Sequence, residues 1–342
     1  MDVKGKRVYV GLSGGVDSAV SAALLKEAGA SAVGVFIKGW YPPGMPCTWA
    51  ADRRDAMRVA ARLGIPFTTL DASLEYKQGV IDYLLTEYKA GRTPNPDVMC
   101  NREVKFGAFY RYAKEKGADY IATGHYARIS GGALLRGLDP EKDQSYFLWA
   151  VPDEAIARTL FPVGDLHKDE VRRFAKRFDL PVAGKRDSQG ICFLGNISVE
   201  DFLLKEFGAA PGRAVDGAGR EIGTHDGATL HTLGARIALT DAEPGPWYVV
   251  RKDMGRNELV VSKEPARCRD MRAIHLTQTN WLGDIGDGEY EAQYRYHGPV
   301  IRGVLSVRDH TFTPHEPTEP LAQGQSLVLY QGERCLGGGI ML

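Results

Sequence analysis

The stretch Gly11, Leu12, Ser13, Gly14, Gly15, Val16, Asp17, Ser18 follows the apolar run Val8-Tyr9-Val10 and precedes a helix-like run from Ala19 to Gly29. Between a strand and a helix it would present successive backbone N–H groups beside the positive end of a helix dipole, a cradle for phosphate. Glycine lets the chain pass close to the anion. Neither GxxxxGK[ST] nor the dinucleotide GxGxxG occurs there, so the loop is of another kind. The same residue types also suit a tight turn capped by Ser or Asp, a reading that needs no ligand. Cys100 and Cys192 stand in polar segments punctuated by Gly or Pro. Asp97 lies three residues before Cys100 in a loop stiffened by Pro94 and Pro96, within reach of the same site as a general acid or base.

These residues need a scaffold that gathers them at one edge. Strand-like and helix-like runs alternate over the first 150 residues: strands "RVYVGL", "SAVGVFI", "PFTTLD" and "ADYIATGH", with helices "AVSAALLKEAG", "RRDAMRVAARLG", "YKQGVIDYLLTEYKAG" and "REVKFGAFYRYAKEKG" between them. That order predicts an α/β fold with a doubly wound parallel sheet, ligands binding at the carboxyl ends of its strands. "DEVRRFAKRFDLP" adds another amphipathic helix. From about Pro211 the texture turns to Gly-rich turns and short strands, and beyond "SKEPARC" to alternating runs that suit a small antiparallel β-barrel. A chain of 342 residues is long enough for two or three such domains. We expect boundaries at 1–196, 197–263 and 264–342.

Composition narrows the class. Charges balance at 43 basic and 43 acidic residues, which argues against a basic nucleic-acid coat, but residues 1–196 carry 28 Lys+Arg against 23 Asp+Glu. A polyanion would find most of its attraction there. The five cysteines (Cys47, Cys100, Cys192, Cys268, Cys335) are scattered without CxxC, so neither a disulfide framework nor a zinc site is expected. No apolar run approaches a membrane span and the first residues lack a signal-like core, so a cytoplasmic protein is expected.

The string Ser13 to Ser18 resembles the pyrophosphate loop (PP-loop) of the ATP pyrophosphatases, adenine nucleotide α-hydrolase-like proteins that cleave ATP between the α and β phosphates to adenylate a substrate. Three further strings, "GRTPNPDVMCNREVKFG" (91–107), "ATGHYAR" with "LLRGLDPEKDQSYFL" (122–148), and "KRDSQGICFLG" (185–195), resemble the bacterial tRNA-uridine 2-sulfurtransferases, the tRNA-specific 2-thiouridylases. "FPVGDLHKDEVR", "PWYVV" and "ERCLGGGI" extend the resemblance over nearly the whole chain. It implies ATP-dependent 2-thiolation of the wobble uridine, with ATP and Mg²⁺ bound by residues 11–18, Ile37 and Gly124. It further implies a persulfide on Cys192, Cys100 as its nucleophilic partner, and Asn95, Pro96 and Asp97 at the target base. His125, Lys142, Asp143, Gln144, Arg295, Tyr296 and Gln325 would contact tRNA. Partners would be the tRNA anticodon region and a persulfide donor or relay of the cysteine desulfurase system, with the protein a monomer.

The chemistry suits such an assignment. The uracil C2 oxygen is a poor leaving group until an adenylate converts it to AMP. A second thiol attacking the inner sulfur of a persulfide releases the outer one and leaves a disulfide. In "REVKFGAFYRYAKEKG", basic Arg102, Lys105, Arg111 and Lys114 interleave with Phe106, Phe109, Tyr110 and Tyr112; the aromatics read as core and the basic face as a possible RNA surface. The chain departs from the family in Gly234-Ala235-Arg236-Ile237-Ala238-Leu239, where Gly-Gln-Arg-x-Gly-Leu is usual, and in Gln189, where Thr is commoner. Two other functions stay open: a PP-loop ligase acting on a small molecule, and a tRNA-binding protein without catalysis. Cys47, Cys100 and Cys192 could also ligate an iron–sulfur cluster, against which the Pro-rich setting of Cys47 argues.

Overall fold

A run of small residues, Ala19, Ser21, Ala22 and Ala23, is buried on the helix that follows the glycine loop and lets it sit close on the sheet. A computed structural model of the chain describes residues 2–42, 49–186, 198–264 and 271–342. Strands β1 (Arg7–Gly11), β2 (Ser31–Lys38), β3 (Phe67–Asp71), β4 (Tyr120–Ala122) and β7 (Thr159–Leu160) form one parallel sheet in the order β3-β2-β1-β4-β7. The chain winds outward from β1 through β2 to β3 and then returns to the other side at β4. The crevice between the carboxyl ends of β1 and β4 is therefore the switch point where such sheets bind ligands. Helices α1 (Val16–Glu27) and α2 (Trp49–Leu63) pack with α5 (Lys168–Arg177) over one face. The other face carries two long helical runs, α3 (residues 73–89) and α4 (residues 96–115).

Both runs contain π-helical turns, at Lys77–Asp82 in α3 and Cys100–Ala108 in α4. The wide winding shows in α4 where the Phe109 N–H donates to the Val104 carbonyl, five residues back. Gly79 lets the two π segments touch, since a Cβ there would lie 2.6 Å from Glu103 Cγ. Periodicity alone reads both stretches as α-helix, because a π turn shifts the apolar face by a fraction of a turn only. The aromatics of α4 are core: Phe106, Phe109 and Tyr110 are buried and Tyr112 half-buried.

After α6 (Val199–Phe207), strands β8 (Gly212–Val215), β9 (Glu221–His225), β10 (Arg236–Ile237), β11 (Trp247–Asp253) and β12 (Glu258–Ser262) form a sheet in the order β10-β11-β12-β8-β9. Strands β13 (Ile274–Trp281), β14 (Gly288–Gln293), β15 (Val300–Ser306), β16 (Thr311–Pro314), β17 (Ser326–Gln331) and β18 (Arg334–Met341) close into a barrel, β18 pairing with both β17 and β13. The hairpin β5 (Ala127–Ser130) and β6 (Ala133–Arg136) leaves the first unit and joins the barrel sheet, Leu135 pairing with Arg334. Its Gly131-Gly132 turn, both residues at positive φ, makes the hairpin possible.

Candidate active site

The phosphate loop is tied to itself and left open to a ligand. Gly15, extended at φ −98° and ψ 169°, is the N-cap of α1 and offers no side-chain cap. The first-turn N–H groups are thus left for an anion. The Ser13 N–H donates to Ser18 Oγ at 3.2 Å, the two hydroxyls lie 3.1 Å apart, and Ser18 Oγ donates to the Gly15 carbonyl at 3.2 Å. Gly14 has φ +78°, and a Cβ on it would collide with the Asp52 carbonyl oxygen. Leu12 is buried beneath the loop.

Across the crevice, Gly124 is pressed against the first turn of α1: a Cβ there would lie 2.6 Å from the Ser18 nitrogen. A Cβ on Gly11 would lie 3.9 Å from Ile37 Cδ1 and 3.6 Å from Phe109 Cε1. Gly11, Leu12, Ser13, Gly14, Gly15, Val16, Asp17, Ser18, Ile37 and Gly124 thus surround the mouth of the β1–β4 crevice.

Two lysines that the sequence reading did not assign reach the same loop. Lys168, the first residue of α5, donates to both Asp17 oxygens at 2.7 and 2.9 Å, and the Tyr126 hydroxyl adds a third bond to Asp17 at 2.8 Å. Lys185 donates to the Gly14 carbonyl at 3.1 Å and to Asp52 and Asp55 at 2.8 Å each. Burial works against the Lys185 charge, but the two carboxylates override it and hold the ammonium above its usual range. A cation in the first turn of a helix opposes the macrodipole, and the Asp17 carboxylate offsets that cost here.

The segment ahead of Cys100 is built by three parts of the chain. Asn95 caps α4, its Oδ1 accepting from the N–H groups of Asp97 (3.2 Å) and Val98 (3.4 Å), with Pro96 in the first helical position. Gln325 of the barrel donates to the Thr93 and Pro94 carbonyls, and the Thr93 N–H donates to Gln323. The Thr93 hydroxyl meets that of Thr232, in the loop ahead of β10, at 3.3 Å. Asp97 is half-buried, on the turn that leads into Cys100.

Cys100 is 0% exposed and belongs to the main apolar core, unlike the polar setting its sequence neighbours suggest. The reason is local: Val98, Met99 and Val104 flank it and α4 presses that face on the sheet. Beside it, Asn101 donates to the Phe147 carbonyl at 2.9 Å, and the Phe147 ring lies 4.5 Å from that of Tyr296. The His297 ring lies tilted against Tyr296 at 3.9 Å, which places an aromatic patch next to the cysteine helix. Arg295 is exposed and paired with Glu319 at 2.7 Å. Cys192, Gln189 and Cys47 lie outside the described residues.

The remaining residues fall in two groups. In the Lys142-Asp143-Gln144 loop, the Asp143 carboxylate is buried, accepting from the N–H groups of Gly137 and Ser145 and from Arg136, while Gln144 Oε1 accepts from the Tyr126 N–H. Lys142 is the half-exposed basic member. His125, at the end of β4, is buried, with Nδ1 2.7 Å from Thr123 Oγ1 and Nε2 3.3 Å from Lys105 Nζ. Burial first, and the Lys105 charge second, push its pKa well below the usual histidine value. In the middle domain Gly234, at φ +80°, starts the departing hexapeptide, and exposed Arg236 lines an open cavity of about 480 Å³ with Trp247.

Comparisons with known proteins decide the family. Three family models cover the chain in order: a tRNA methyl transferase HUP domain over residues 6–196, a tRNA methyl transferase PRC-barrel domain over 200–263, and an aminomethyltransferase β-barrel domain over 271–341. The tRNA-specific 2-thiouridylase MnmA of Hahella chejuensis is 44% identical, covering 99% of this chain and 98% of that protein. The protein of the same name from Pseudomonas putida is 46% identical over 98% of this chain and 94% of its own length. The chain belongs to the tRNA-specific 2-thiouridylase family. Within the 2-thiouridylase strings, Gly14 and Gly124 stand where another backbone approaches too closely for a side chain. Lys168 and Lys185 stand in the same strings and emerge only from the tertiary contacts.

Proposed function

We infer that this protein catalyses ATP-dependent 2-thiolation of the wobble uridine in tRNA, releasing AMP and pyrophosphate. One observation carries the site assignment. The phosphate loop after β1 and the helix bearing Cys100 meet over the same crevice, with Gly124 and His125 at the end of β4 touching one each.

In the reading we favour, ATP lies with its adenine toward Ile37 and its phosphates on residues 11–18, and Mg²⁺ would be carried on those phosphates and supply charge neutralisation there, while Asp17 stays paired with Lys168 and Tyr126. The uracil C2 oxygen attacks the α-phosphate, and pyrophosphate departs into the loop, where Lys168 and Lys185 offset its charge. Cys100 then attacks the inner sulfur of the Cys192 persulfide. A Cys100–Cys192 disulfide forms, and the released hydrosulfide adds to C2 and expels AMP. Asp97 handles the proton, and an external thiol must reduce the disulfide before the next turnover. The family models speak of methyl transfer, but a nucleotide-cleaving loop beside a nucleophilic thiol serves sulfur insertion better.

Asn95, Pro96, His125, Lys142, Asp143, Gln144, Arg295, Tyr296 and Gln325 form the tRNA side in this reading, some by contact and the buried ones by shaping what tRNA meets. We further propose units at 1–196, 197–263 and 264–342, a monomer, a cytoplasmic setting, and sulfur supply from a cysteine desulfurase system. No helix among the described residues is long and apolar enough to cross a membrane.

Mass spectrometry of tRNA nucleosides from a host lacking this protein tests the function. Loss of 2-thiouridine derivatives at the wobble position, restored by the wild-type chain and not by Cys192→Ser, is expected. Persistence of those nucleosides would refute it.

A further inference from the structure

We propose that Lys105 is the cation of the adenylation step, with its ammonium positioned by His125 to offset the charge that builds on the α-phosphate as the uracil oxygen attacks. This rests on the thiolation reading above.

Three observations place the ammonium. The first is the winding of α4. An α-helix advances about 100° per residue and a π-helix about 80°. Over the five residues from Cys100 to Lys105, the first would leave the two side chains about 140° apart and the second about 40°. The π turns at Cys100–Ala108 therefore bring Lys105 round to the face of the helix that carries the cysteine. The close packing of Gly107 on the Arg102 carbonyl, 2.7 Å from a would-be Cβ, reserves room for that winding.

The second is the contact with His125. A protonated lysine has only donors, so at 3.3 Å the imidazole Nε2 accepts, which leaves Nδ1–H to donate to Thr123 Oγ1 at 2.7 Å. The ring is thereby fixed in one tautomer and stays neutral. Its burial among Phe106 and Phe161 holds it in place. His125 thus sets the ammonium without cancelling its charge.

The third is position over the crevice. His125 follows Gly124, which is in contact with the first turn of the phosphate loop's helix, and Phe109, one helical turn after Lys105, covers Gly11 at the end of β1. Lys105 thus shares the helix face of the thiol and meets His125, the residue next to the glycine that touches the nucleotide cradle. Lys168 and Lys185 bind the loop itself, on the pyrophosphate side, so the three lysines divide along the bond that breaks. A preorganised donor or charge of this kind, placed where charge develops in a site closed to water, is worth about 10²–10³ in rate.

The test separates the two chemical steps in the full-length chain. With Cys192 unloaded, single-turnover mixing of enzyme, unmodified tRNA and ATP labelled in the γ-phosphate reads adenylation as release of labelled pyrophosphate. Lys105→Met should slow that release about 100-fold at saturating tRNA, with Lys105→Arg recovering at least 10-fold of the loss. Thermal unfolding temperature and the loading of Cys192 with persulfide should match wild type. Release at the wild-type rate with slow 2-thiouridine formation would move Lys105 to the sulfur step and overturn the proposal. So would a defect confined to tRNA affinity, or one that arginine fails to rescue while both variants fold. If wild-type enzyme itself releases no pyrophosphate with tRNA, it is the thiolation reading that fails.

Discussion

Gln325 donates its side-chain amide to the Thr93 carbonyl at 2.8 Å and to the Pro94 carbonyl at 3.3 Å, so a residue of the C-terminal barrel fixes the backbone that enters Asn95-Pro96-Asp97. Family likeness assigns Gln325 to tRNA, yet its amide faces the backbone that leads to Asp97 and Cys100. Replacing it by Ala removes two bonds from a loop that must hold Asp97 and Cys100 in register, and a kcat about 10-fold lower is expected. Gln325→Glu should be worse than Ala, because a carboxylate would face two carbonyl oxygens. Steady-state kinetics with tRNA tests this: equal effects of Ala and Glu, or a change in tRNA KM alone, would contradict it.

The pairing of Lys168 with Asp17 leads to a second expectation. Lys168→Met leaves the Asp17 carboxylate uncompensated beside incoming phosphates, so KM for ATP should rise by about 10-fold or more, while tRNA affinity stays unchanged. Adding Asp17→Asn should relieve part of that increase by removing the repulsion. ATP titrations of the single and double variants measure the coupling. Independent, additive effects would show that the ion pair does not govern nucleotide binding.

Much of this site is legible in the sequence, and the boundary of legibility is physical. Gly14 and Gly124 can be read because backbone conformation and close approach leave only glycine. The parallel sheet can be read because buried strands and amphipathic helices each impose a period. Lys168, Lys185 and Lys105 cannot, since a lysine's role depends on what lies at the far end of a long side chain, and here the partners are 20 to 171 residues away. The π turn at Cys100 is hidden for a different reason: it alters the winding without altering composition. The β5–β6 hairpin reads as part of a catalytic motif, and only its pairing to Arg334 shows that it belongs to the barrel sheet.

Two buried histidines and a half-buried one predict the acid side of stability. Burial lowers the pKa of His125 and of His225, and brings His231 to about 4, with His225 and Lys252 as further contributors. Each folded pKa lies below the unfolded value of about 6.5, so the unfolded chain takes up protons first. The stability they contribute is complete above about pH 6.5 and is lost as pH falls toward the folded values. Urea unfolding at pH 7.5, 6 and 5 should show a falling midpoint, and His231→Gln should make the slope shallower. A midpoint independent of pH over that range would contradict the assignment.

Cys335 supplies the alkaline counterpart and a control for the reactive thiols. It is fully buried in β18, and burial pushes its thiol up to about 12. An unfolded cysteine ionises near 8.5, so above that pH the unfolded chain releases a proton that the native chain keeps, and stability falls as pH rises toward 12. Because the thiolate is the nucleophile, native Cys335 should resist iodoacetamide at pH 8 for hours and react at once in denaturant. Cys335→Ala should leave thiolation at the wild-type level, whereas Cys100→Ser should reduce it at least 100-fold. Peptide mass spectrometry after timed alkylation reads the first expectation. Rapid labelling of Cys335 in folded protein would mean that β18 opens far more readily than its pairing with both β17 and β13 allows.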